Sequence, residues 1–346
     1  MSNRQYSQEE LRSALAGFGI NDATDVSRYG SGHINDTFKV ETAGGTRYIL
    51  QRVTDIFDKD VLKENILRVT AHLKAKGVKT LEVVGYENPW RLYAFLEGYT
   101  SVDLVTNPKE AELAAGAFAK FQNDLAELPP PRLGEIIPKF HDTVDRLRLL
   151  DEAAAADVRG RKASVAAELD FIDRRRAEAS TLVEMMRRGE IPERITHNDT
   201  KINNVMLDDV TGLRTHVIAL DTTMPGCALY DFGDMVRTST ANAAEDERDL
   251  TKVFSRKEYF EQLVKGYLGK AKFLNEAELA NLAFSGRLIT LTIGIRFLTD
   301  YLAGDVYFHT TCDDHNLVRA RTQFKMVQSM EDQAADYEAI VRATAR

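Results

Sequence analysis

The sequence changes its pattern near Asn107, and this change constrains the fold more than any other feature. Within residues 1–97, a short helix, a strand hairpin, a second helix and two more strands follow one another. From Asn107-Pro108, a typical helix start, the chain is mostly helical. We therefore expect an α+β fold with two lobes, a small β-rich lobe (1–97) and a larger helical lobe (98–346), with a cleft between them.

Local signals place several helix ends within this outline. Ser7 and Glu10 have the spacing of a capping box, and Gly77 is expected to end the second helix. One long helix is predicted over residues 165–188. The apolar segment "LITLTIGIRFLTDYLAG" is interrupted by Arg296 and Asp300, so we expect a buried helix and no membrane span.

Charge and cysteine content exclude some classes of function. The net charge of the 346-residue chain is −8, which argues against a broad nucleic-acid surface. The N-terminal segment has no apolar signal-peptide core, and the two cysteines fit no metal-ligand pattern. The sequence predicts a reduced, cytoplasmic protein without an evident obligate protein partner.

The stretch "ITHNDTKINNVMLDD" carries the main chemical signal. His197, Asp199 and Asn204 have the spacing H-x-D-x-x-x-x-N, which is that of the catalytic loop in protein kinases. In that loop the aspartate accepts the proton of the attacking hydroxyl, and the asparagine binds magnesium. On this motif alone, a polar turn whose side chains cap local backbone groups is an equal alternative.

A second acid favours phosphotransfer, because such a site needs another carboxylate to hold magnesium. Asp221 follows the predicted strand "THVIAL" and is the candidate. The sequence Asp231-Phe232-Gly233 matches the Asp-Phe-Gly motif of protein kinases, but it follows a predicted loop and not a strand. We therefore assign Asp231 a structural role in ordering the catalytic loop, through His197 or backbone amides.

A glycine-containing segment precedes the hairpin. In "YGSGHINDTF", Gly30, Ser31 and Gly32 would let the backbone approach a nucleotide phosphate. A plain hairpin turn is the alternative. The position of this segment in the strand-rich lobe, before the catalytic loop, favours nucleotide binding.

Taken together, these segments resemble one family over nearly the whole chain. The strings "RYGSGHINDTF", "RYILQRV", "THNDTKINNVMLDD", "LDTTMPGCALYDFGD" and "GIRFLTDYLAGDVYF" are similar to those of N-acetylhexosamine 1-kinases, in the aminoglycoside phosphotransferase/choline kinase-like branch of the protein-kinase-like fold. The resemblance implies phosphorylation of the anomeric hydroxyl of N-acetylglucosamine or N-acetylgalactosamine, with ATP and Mg²⁺. It implies Asp199 as general base, His197 as its support, and Asn204 and Asp221 on the metal.

The sequence departs from related kinases at two places. Ile218-Ala219 stands where related enzymes often carry the metal-binding acid; in a strand, residues 219 and 221 would share a face. Gln51, followed by Arg52, stands where protein kinases carry a phosphate-pairing lysine. Either Gln51 bonds the nucleotide, or Arg52 reaches inward, or the charge is supplied elsewhere. The backbone at Leu96 and Glu97 is expected to recognise adenine.

The substrate side of the site is less specific in sequence. His33 follows the glycine segment and is placed near the sugar or phosphate, with a plain hairpin residue as the alternative. Lys201 lies in the catalytic loop, where a cation suits the γ-phosphate. Arg296 and Tyr307 are expected to face the cleft with Asp300; a structural ion pair between Arg296 and Asp300 is an equal alternative.

Two other functions stay open at this point. One is a kinase of the same fold for another sugar, an amino alcohol or an aminoglycoside. The other is a degenerate kinase fold that serves as a binding regulator, which only Ala219 and the missing lysine support. Small molecules, the acceptor and ATP, are the expected partners, without nucleic acid or membrane.

Overall fold

A five-stranded antiparallel sheet organises the first part of the chain in the computed structural model, which describes residues 5–30, 35–101 and 105–345. Its strands lie in the order β1-β2-β3-β5-β4. The predicted hairpin is confirmed as β2 and β3, and β1 pairs with β2 on its other side. The strands are β1 (Ala23–Arg28), β2 (Asp36–Thr42), β3 (Arg47–Arg52), β4 (Val83–Glu87) and β5 (Trp90–Ala94).

Both helices predicted for this part are present and end where the signals indicate. At the start of α1 (Gln8–Gly17), the Ser7 hydroxyl accepts the Glu10 amide at 3.1 Å and the Glu10 carboxylate accepts the Ser7 amide at 2.8 Å. Helix α2 (Lys59–Ala75) is followed by Gly77, whose φ of 71° ends the helix without steric cost.

The two helices pack in different directions. Leu11 of α1 lies in a cluster with Phe38 and the other inward side chains of the sheet. Leu62 of α2 lies in a second cluster, with Phe121 and Leu220 of the helical part. Since Leu220 precedes Asp221, α2 connects the sheet to the segment that carries the candidate metal ligand.

The second part of the chain is mostly helical around one long central helix, α11 (Leu282–Ala303). By length and composition α11 could cross a membrane, but 72% of its apolar window is buried inside the protein. The prediction of a buried helix is therefore confirmed. The helices are α3 (Pro108–Leu125), α4 (Thr143–Ala156), α5 (Ala166–Asp173), α6 (Arg176–Ala179), α7 (Thr181–Arg187), α8 (Ala228–Ser239), α9 (Lys257–Lys270), α10 (Glu276–Ala280), α11 (Leu282–Ala303), α12 (His315–Asp332) and α13 (Ala334–Thr344).

Short strands frame the candidate catalytic loop. Strands β6 (Tyr99–Ser101), β8 (Val205–Asp208) and β9 (Thr215–Val217) form one antiparallel sheet, and β7 (Arg194–Thr196) pairs with β10 (Met224–Gly226). The loop from His197 to Asn204 leaves β7 and enters β8, so paired backbone fixes both of its ends.

The predicted helix over residues 165–188 is wrong, since the chain forms α5, α6 and α7 there. The first break lies at Arg174–Arg175, between α5 and α6. The Arg175 guanidinium donates to both oxygens of Glu331 on α12, at 2.7 Å each. Arg176 turns to Asp151 on α4 instead. These contacts with two different helices favour the bend over a continuous helix.

Candidate active site

Asp231 holds the candidate catalytic loop in place. It lies in the first turn of α8 and is fully buried. Its carboxylate accepts the backbone amides of His197 at 2.8 Å and Asn198 at 2.7 Å, and the side-chain amide of Gln122 at 2.7 Å. The predicted ordering role of Asp231 is confirmed, and it acts through backbone amides.

Two histidines support the same loop from behind. His197 is fully buried; its Nε2 donates to the Ile218 carbonyl at 2.8 Å, and its Nδ1 accepts the Asp199 amide at 3.3 Å. His141 Nε2 donates to the Asn198 carbonyl at 3.0 Å, and burial lowers the pKa of His141 to about 4. His141 is therefore neutral near pH 7. The left-handed backbone of Asn198, at φ 64°, turns the next side chain, that of Asp199, away from these supports.

Asp199 is the half-buried carboxylate of the loop. Its Oδ1 lies 3.1 Å from Lys201 Nζ, and its Oδ2 accepts from Asn204 Nδ2 at 3.1 Å. Burial acts to raise the pKa of Asp199, but the nearby charge of Lys201, the His197 side chain and the hydrogen bonds from Lys201 and Asn204 outweigh it and lower the pKa below its usual value. Asp199 is therefore ionised and able to accept a proton.

Asp221 lies in a different backbone setting from the predicted one. Strand β9 ends at Val217, Ala219 adopts a left-handed conformation with φ 58°, and Asp221 sits in a single 3₁₀ turn. The expectation that residues 219 and 221 share one face of a strand is therefore wrong. The carboxylate of Asp221 nevertheless turns toward the sheet, where Asn35 and Arg91 donate to it.

Gln51 and Arg52 point to different sides of the sheet. Gln51 Nε2 donates to Thr37 at 2.9 Å, and Gln51 Oε1 accepts from Arg91 Nε at 3.0 Å. Arg52 pairs with Asp55 at 3.2 Å. The structure therefore does not bring Arg52 to Asp221, and the alternative in which Arg52 reaches inward is wrong.

The expected nucleotide contacts are described only in part. Gly30 has a φ of 76°, a conformation that favours glycine. Ser31, Gly32 and His33 lie outside the described residues. Within the described ranges, the backbone groups of Leu96 and Glu97 make no hydrogen bond, although their neighbours Phe95 and Gly98 do. Free donors and acceptors at this position suit the edge of a purine.

Arg296 is a half-buried cation among aromatic rings. Its guanidinium lies 4.9 Å from the Phe140 ring centre, 5.6 Å from that of Tyr307 and 5.5 Å from that of Phe308. It donates to the Tyr307 hydroxyl at 3.4 Å, and no carboxylate of the described residues forms an ion pair with it. Burial lowers the pKa of Arg296 to about 10, so it is charged near pH 7.

Asp300 has a structural role instead of a place in the cleft. It is buried, and its carboxylate accepts the backbone amides of Val306, Tyr307 and Phe308 at 2.8–2.9 Å. Both the substrate-binding role expected for Asp300 and its alternative, an ion pair with Arg296, are therefore wrong. Asp300 instead fixes the turn that presents Tyr307.

The acidic side chains behind Lys201 already have arginine partners. Asp234 accepts from Arg237 Nε at 2.8 Å and from the Thr200 amide at 3.1 Å. Glu245 accepts from the same guanidinium at 2.9 Å. A cavity of about 190 Å³ lies beside these groups, and Lys201 and Arg237 are among its lining residues.

The comparison with protein families agrees with this geometry. Residues 25–263 match the model of a family described as "Phosphotransferase enzyme family". The chain belongs to this family. The match spans the glycine segment, the Asp199 loop and Asp221, and ends in α9.

Solved structures show that the phosphotransferase has a kinase-like fold. An ethanolamine kinase of Plasmodium vivax aligns with a TM-score of 0.61 at 15% identity, over 93% of this chain and 91% of its own. A choline kinase of Streptococcus pneumoniae aligns with a TM-score of 0.60 at 13% identity, over 93% and 100%. A microcompartment-associated aminopropanol kinase gives 0.63 at 16% identity, over 96% and 99%.

The donor set of the phosphotransferase fits a magnesium ion that phosphates help to hold. Within residues 5–30, 35–101 and 105–345, no three His, Cys, Asp or Glu side chains converge on a metal site. Mg²⁺ is typically held by one or two protein oxygens together with phosphates and water. The Asp221 carboxylate suits this role. So does the Asn204 carbonyl oxygen, which no donor of the described residues reaches.

Sequence reasoning missed several supporting residues of the phosphotransferase. The sequence indicates only a strand at Arg91 and a helix at Gln122, and it assigns no role to Asp234 beside the Asp231 motif. An arginine within the apolar strand "WRLYAFLE" was the one available signal, because such a charge is costly unless it is paired.

Proposed function

We propose that this phosphotransferase is a cytoplasmic, ATP- and Mg²⁺-dependent kinase that phosphorylates the anomeric hydroxyl of N-acetylhexosamines. The products are the sugar 1-phosphate and ADP. Family membership supports the reaction class. The resemblance of the strings around His33, Asp199 and Asp221 to hexosamine kinases supports the substrate.

The charge of the acceptor side is the observation that carries the choice of substrate. Kinases of cationic acceptors need carboxylates to match the ammonium groups. Here Asp234 and Glu245 are paired with Arg237, and Arg296 is a cation without a carboxylate partner in the described residues. A cationic acceptor would meet repulsion from Arg296, whereas the oxygens of a neutral sugar accept its hydrogen bonds.

Unsatisfied amide oxygens add to this preference. Gln323 is buried and lines the cavity beside Lys201, and its Oε1 has no donor among the described residues. The Oδ1 atom of Asn203 in the same cavity likewise has no donor in the described ranges. Sugar hydroxyls are donors that match such oxygens, and a buried acceptor left unpaired costs about 1–3 kcal/mol.

In the proposed reaction, Asp199 accepts the proton of the anomeric hydroxyl, and the oxygen of this hydroxyl attacks the γ-phosphorus of ATP. The bond between that phosphorus and the bridging oxygen breaks, and ADP leaves. Asn204 and Asp221 would hold Mg²⁺, which offsets the charge of the phosphates. Lys201 moves from Asp199 toward the transferred phosphoryl group, and Leu96 and Glu97 hold adenine through their backbones.

A screen with γ-³²P-ATP tests this proposal. N-acetylhexosamines, other hexoses, choline, ethanolamine and aminoglycosides are offered as acceptors, and NMR coupling at the anomeric carbon locates the phosphate. We expect transfer to C1 of an N-acetylhexosamine. Transfer to an amino alcohol or aminoglycoside would replace this substrate assignment, and binding of ATP without turnover on any acceptor would indicate a regulator.

The Asp199→Asn variant tests the mechanism separately. Loss of the base should lower kcat on the order of 10²–10⁴-fold. Asp209→Asn is the matched control, since Asp209 lies just beyond the strand after the loop, and Thr100 at the surface is the one donor to its carboxylate among the described residues. A fully active Asp199→Asn variant would refute the base assignment.

A further inference from the structure

Arg91 is a fully buried cation that faces both Gln51 and Asp221. Its side chain is 2% exposed. Nε and Nη2 lie 3.0 and 2.8 Å from Gln51 Oε1. On the other side, Nη1 lies 2.6 Å from Asp221 Oδ1, and Nη2 lies 2.8 Å from Oδ2. The guanidinium thus joins β3, β5 and the turn after β9.

This arrangement is costly to build and so calls for an explanation. Burying two charges carries a large desolvation penalty, which good geometry only partly offsets. Burial acts to lower the pKa of Arg91, but the Asp221 carboxylate outweighs this and raises the pKa above its ordinary value. The two partners are 130 residues apart in sequence, so local structure alone does not bring them together.

The sheet register relates Arg91 to the missing lysine. Gln51 and Arg91 are direct partners in the antiparallel pair of β3 and β5. Directly opposite residues share one face of a sheet, with Cβ atoms about 4.5–5.5 Å apart. The Arg91 guanidinium therefore occupies the face on which a lysine at position 51 would place its ammonium group.

We propose that Arg91 replaces the third-strand lysine of other kinases, as a positioning residue that orients the Asp221 carboxylate for Mg²⁺–nucleotide binding. The inference rests on the proposed function, in which Asp221 is a metal ligand. The cation comes from the neighbouring strand, and Gln51 holds it in position as a neutral acceptor. Arg52, paired with Asp55, takes no part.

Moving the charge back to β3 is the decisive experiment. Three variants are compared with the wild type: Arg91→Met, Arg91→Lys and the double variant Gln51→Lys/Arg91→Gln. Binding of the non-hydrolysable ATP analogue AMP-PNP is measured by calorimetry over a range of Mg²⁺ concentrations. This readout does not depend on turnover or on the acceptor.

We expect Arg91→Met to weaken Mg²⁺-dependent AMP-PNP binding by about 10–100-fold, the usual effect of removing a group that orients a metal ligand. The double variant should recover most of this loss, because it restores a cation on the same face. Arg91→Lys should recover less, since one ammonium cannot reproduce the two-nitrogen contact with Asp221.

Arg175→Met is the matched control for the loss of an ion pair. Arg175 also forms a two-nitrogen pair, with Glu331 on α12, and neither residue contacts the Asp199 loop among the hydrogen bonds of the described residues. This variant should lose stability without a change in AMP-PNP affinity. Equal effects of Arg175→Met and Arg91→Met on affinity would reduce Arg91 to a structural residue and overturn the inference.

The double variant keeps the inference falsifiable if Arg91→Met does not fold. A double variant that is unfolded, or folded without Mg²⁺-dependent affinity, overturns it. A wild-type protein that binds no Mg²⁺–nucleotide would instead refute the proposed function. Wild-type binding that Arg91→Met leaves unchanged would refute the role of Arg91 alone.

Discussion

Replacing Asp231 with asparagine is expected to separate the stability of the phosphotransferase from its activity. Asp231 is fully buried, and its burial raises the pKa from the usual 3.8 to about 6, against the influence of His197 and the three hydrogen bonds it accepts. An asparagine has the same shape and no charge to bury. It presents only one oxygen, so one of the two loop amides loses its acceptor.

The sign and size of the stability effect follow from the raised pKa. Between pH 3.8 and about 6, the folded state binds more protons at Asp231 than the unfolded state, so wild-type stability falls as the pH rises. At about 1.4 kcal/mol per pH unit, ionising this group costs the folded state about 3 kcal/mol in total. About 2 kcal/mol of this cost arises between pH 4.5 and pH 7.5. The Asp231→Asn variant has no charge at this position and so does not carry this cost.

Urea unfolding at these two pH values measures the effect. Between pH 4.5 and pH 7.5, the free energy of unfolding of Asp231→Asn should rise by about 2 kcal/mol relative to that of the wild type. Its kcat should fall about 100-fold because the loop is misplaced. Asp208→Asn is the control: Asp208 also caps backbone amides, at 2.7–3.0 Å, but the hydrogen bond from the Thr211 hydroxyl and those from the amides lower its pKa. It should lose stability at both pH values with kcat intact. A stability difference for Asp231→Asn that does not change with pH would refute the reasoning.

Three further predictions concern the reaction itself. In the wild type, kcat should fall on the acid side near pH 6, where protonation of Asp231 removes an acceptor from the loop. Asp231→Asn should not show this fall. A fall of the wild-type kcat only below pH 5 would assign the titrating group to Asp199 instead. Asn204→Ala should raise the Mg²⁺ concentration for half-maximal activity by at least about tenfold, and unchanged magnesium dependence would remove Asn204 from the metal site. Arg296→Met should raise KM for the acceptor by about 10–100-fold with KM for ATP unchanged, the loss expected for a charge-assisted hydrogen bond of about 1.5–3 kcal/mol.

Local signals in the sequence predicted local structure well. The capping box of Ser7 and Glu10, the Asn107 helix start and the end of α2 near Gly77 are confirmed, because neighbouring residues decide each of them. The loop from His197 to Asn204 was recognisable for the same reason. Its spacing is short, and strands fix both of its ends.

Long-range contacts explain most of what the sequence could not predict. Arg175 and Arg176 bend the predicted long helix toward partners on two other helices. Asp300 bonds the amides of a turn that follows its own helix, although Arg296 stands at the spacing of a helical ion pair. The partner of Asp221 comes from a strand 130 residues away in the sequence. The apolar strand around Arg91 signals that this charge needs a partner, but it does not say which one.

The backbone at Leu96 and Glu97, which bonds to none of the described residues, also has a mechanical consequence. Phe95 is the last residue tied to β3, through its amide and the Arg47 carbonyl at 3.1 Å, while Gly98 is tied to Asp209 at 2.9 Å. Any rotation of the five-stranded sheet against the catalytic loop would therefore bend the two peptide units between these anchors. A nucleotide whose adenine bonds to Leu96 and Glu97 would hold these two peptide units, so nucleotide binding would also restrict motion of the sheet relative to the loop.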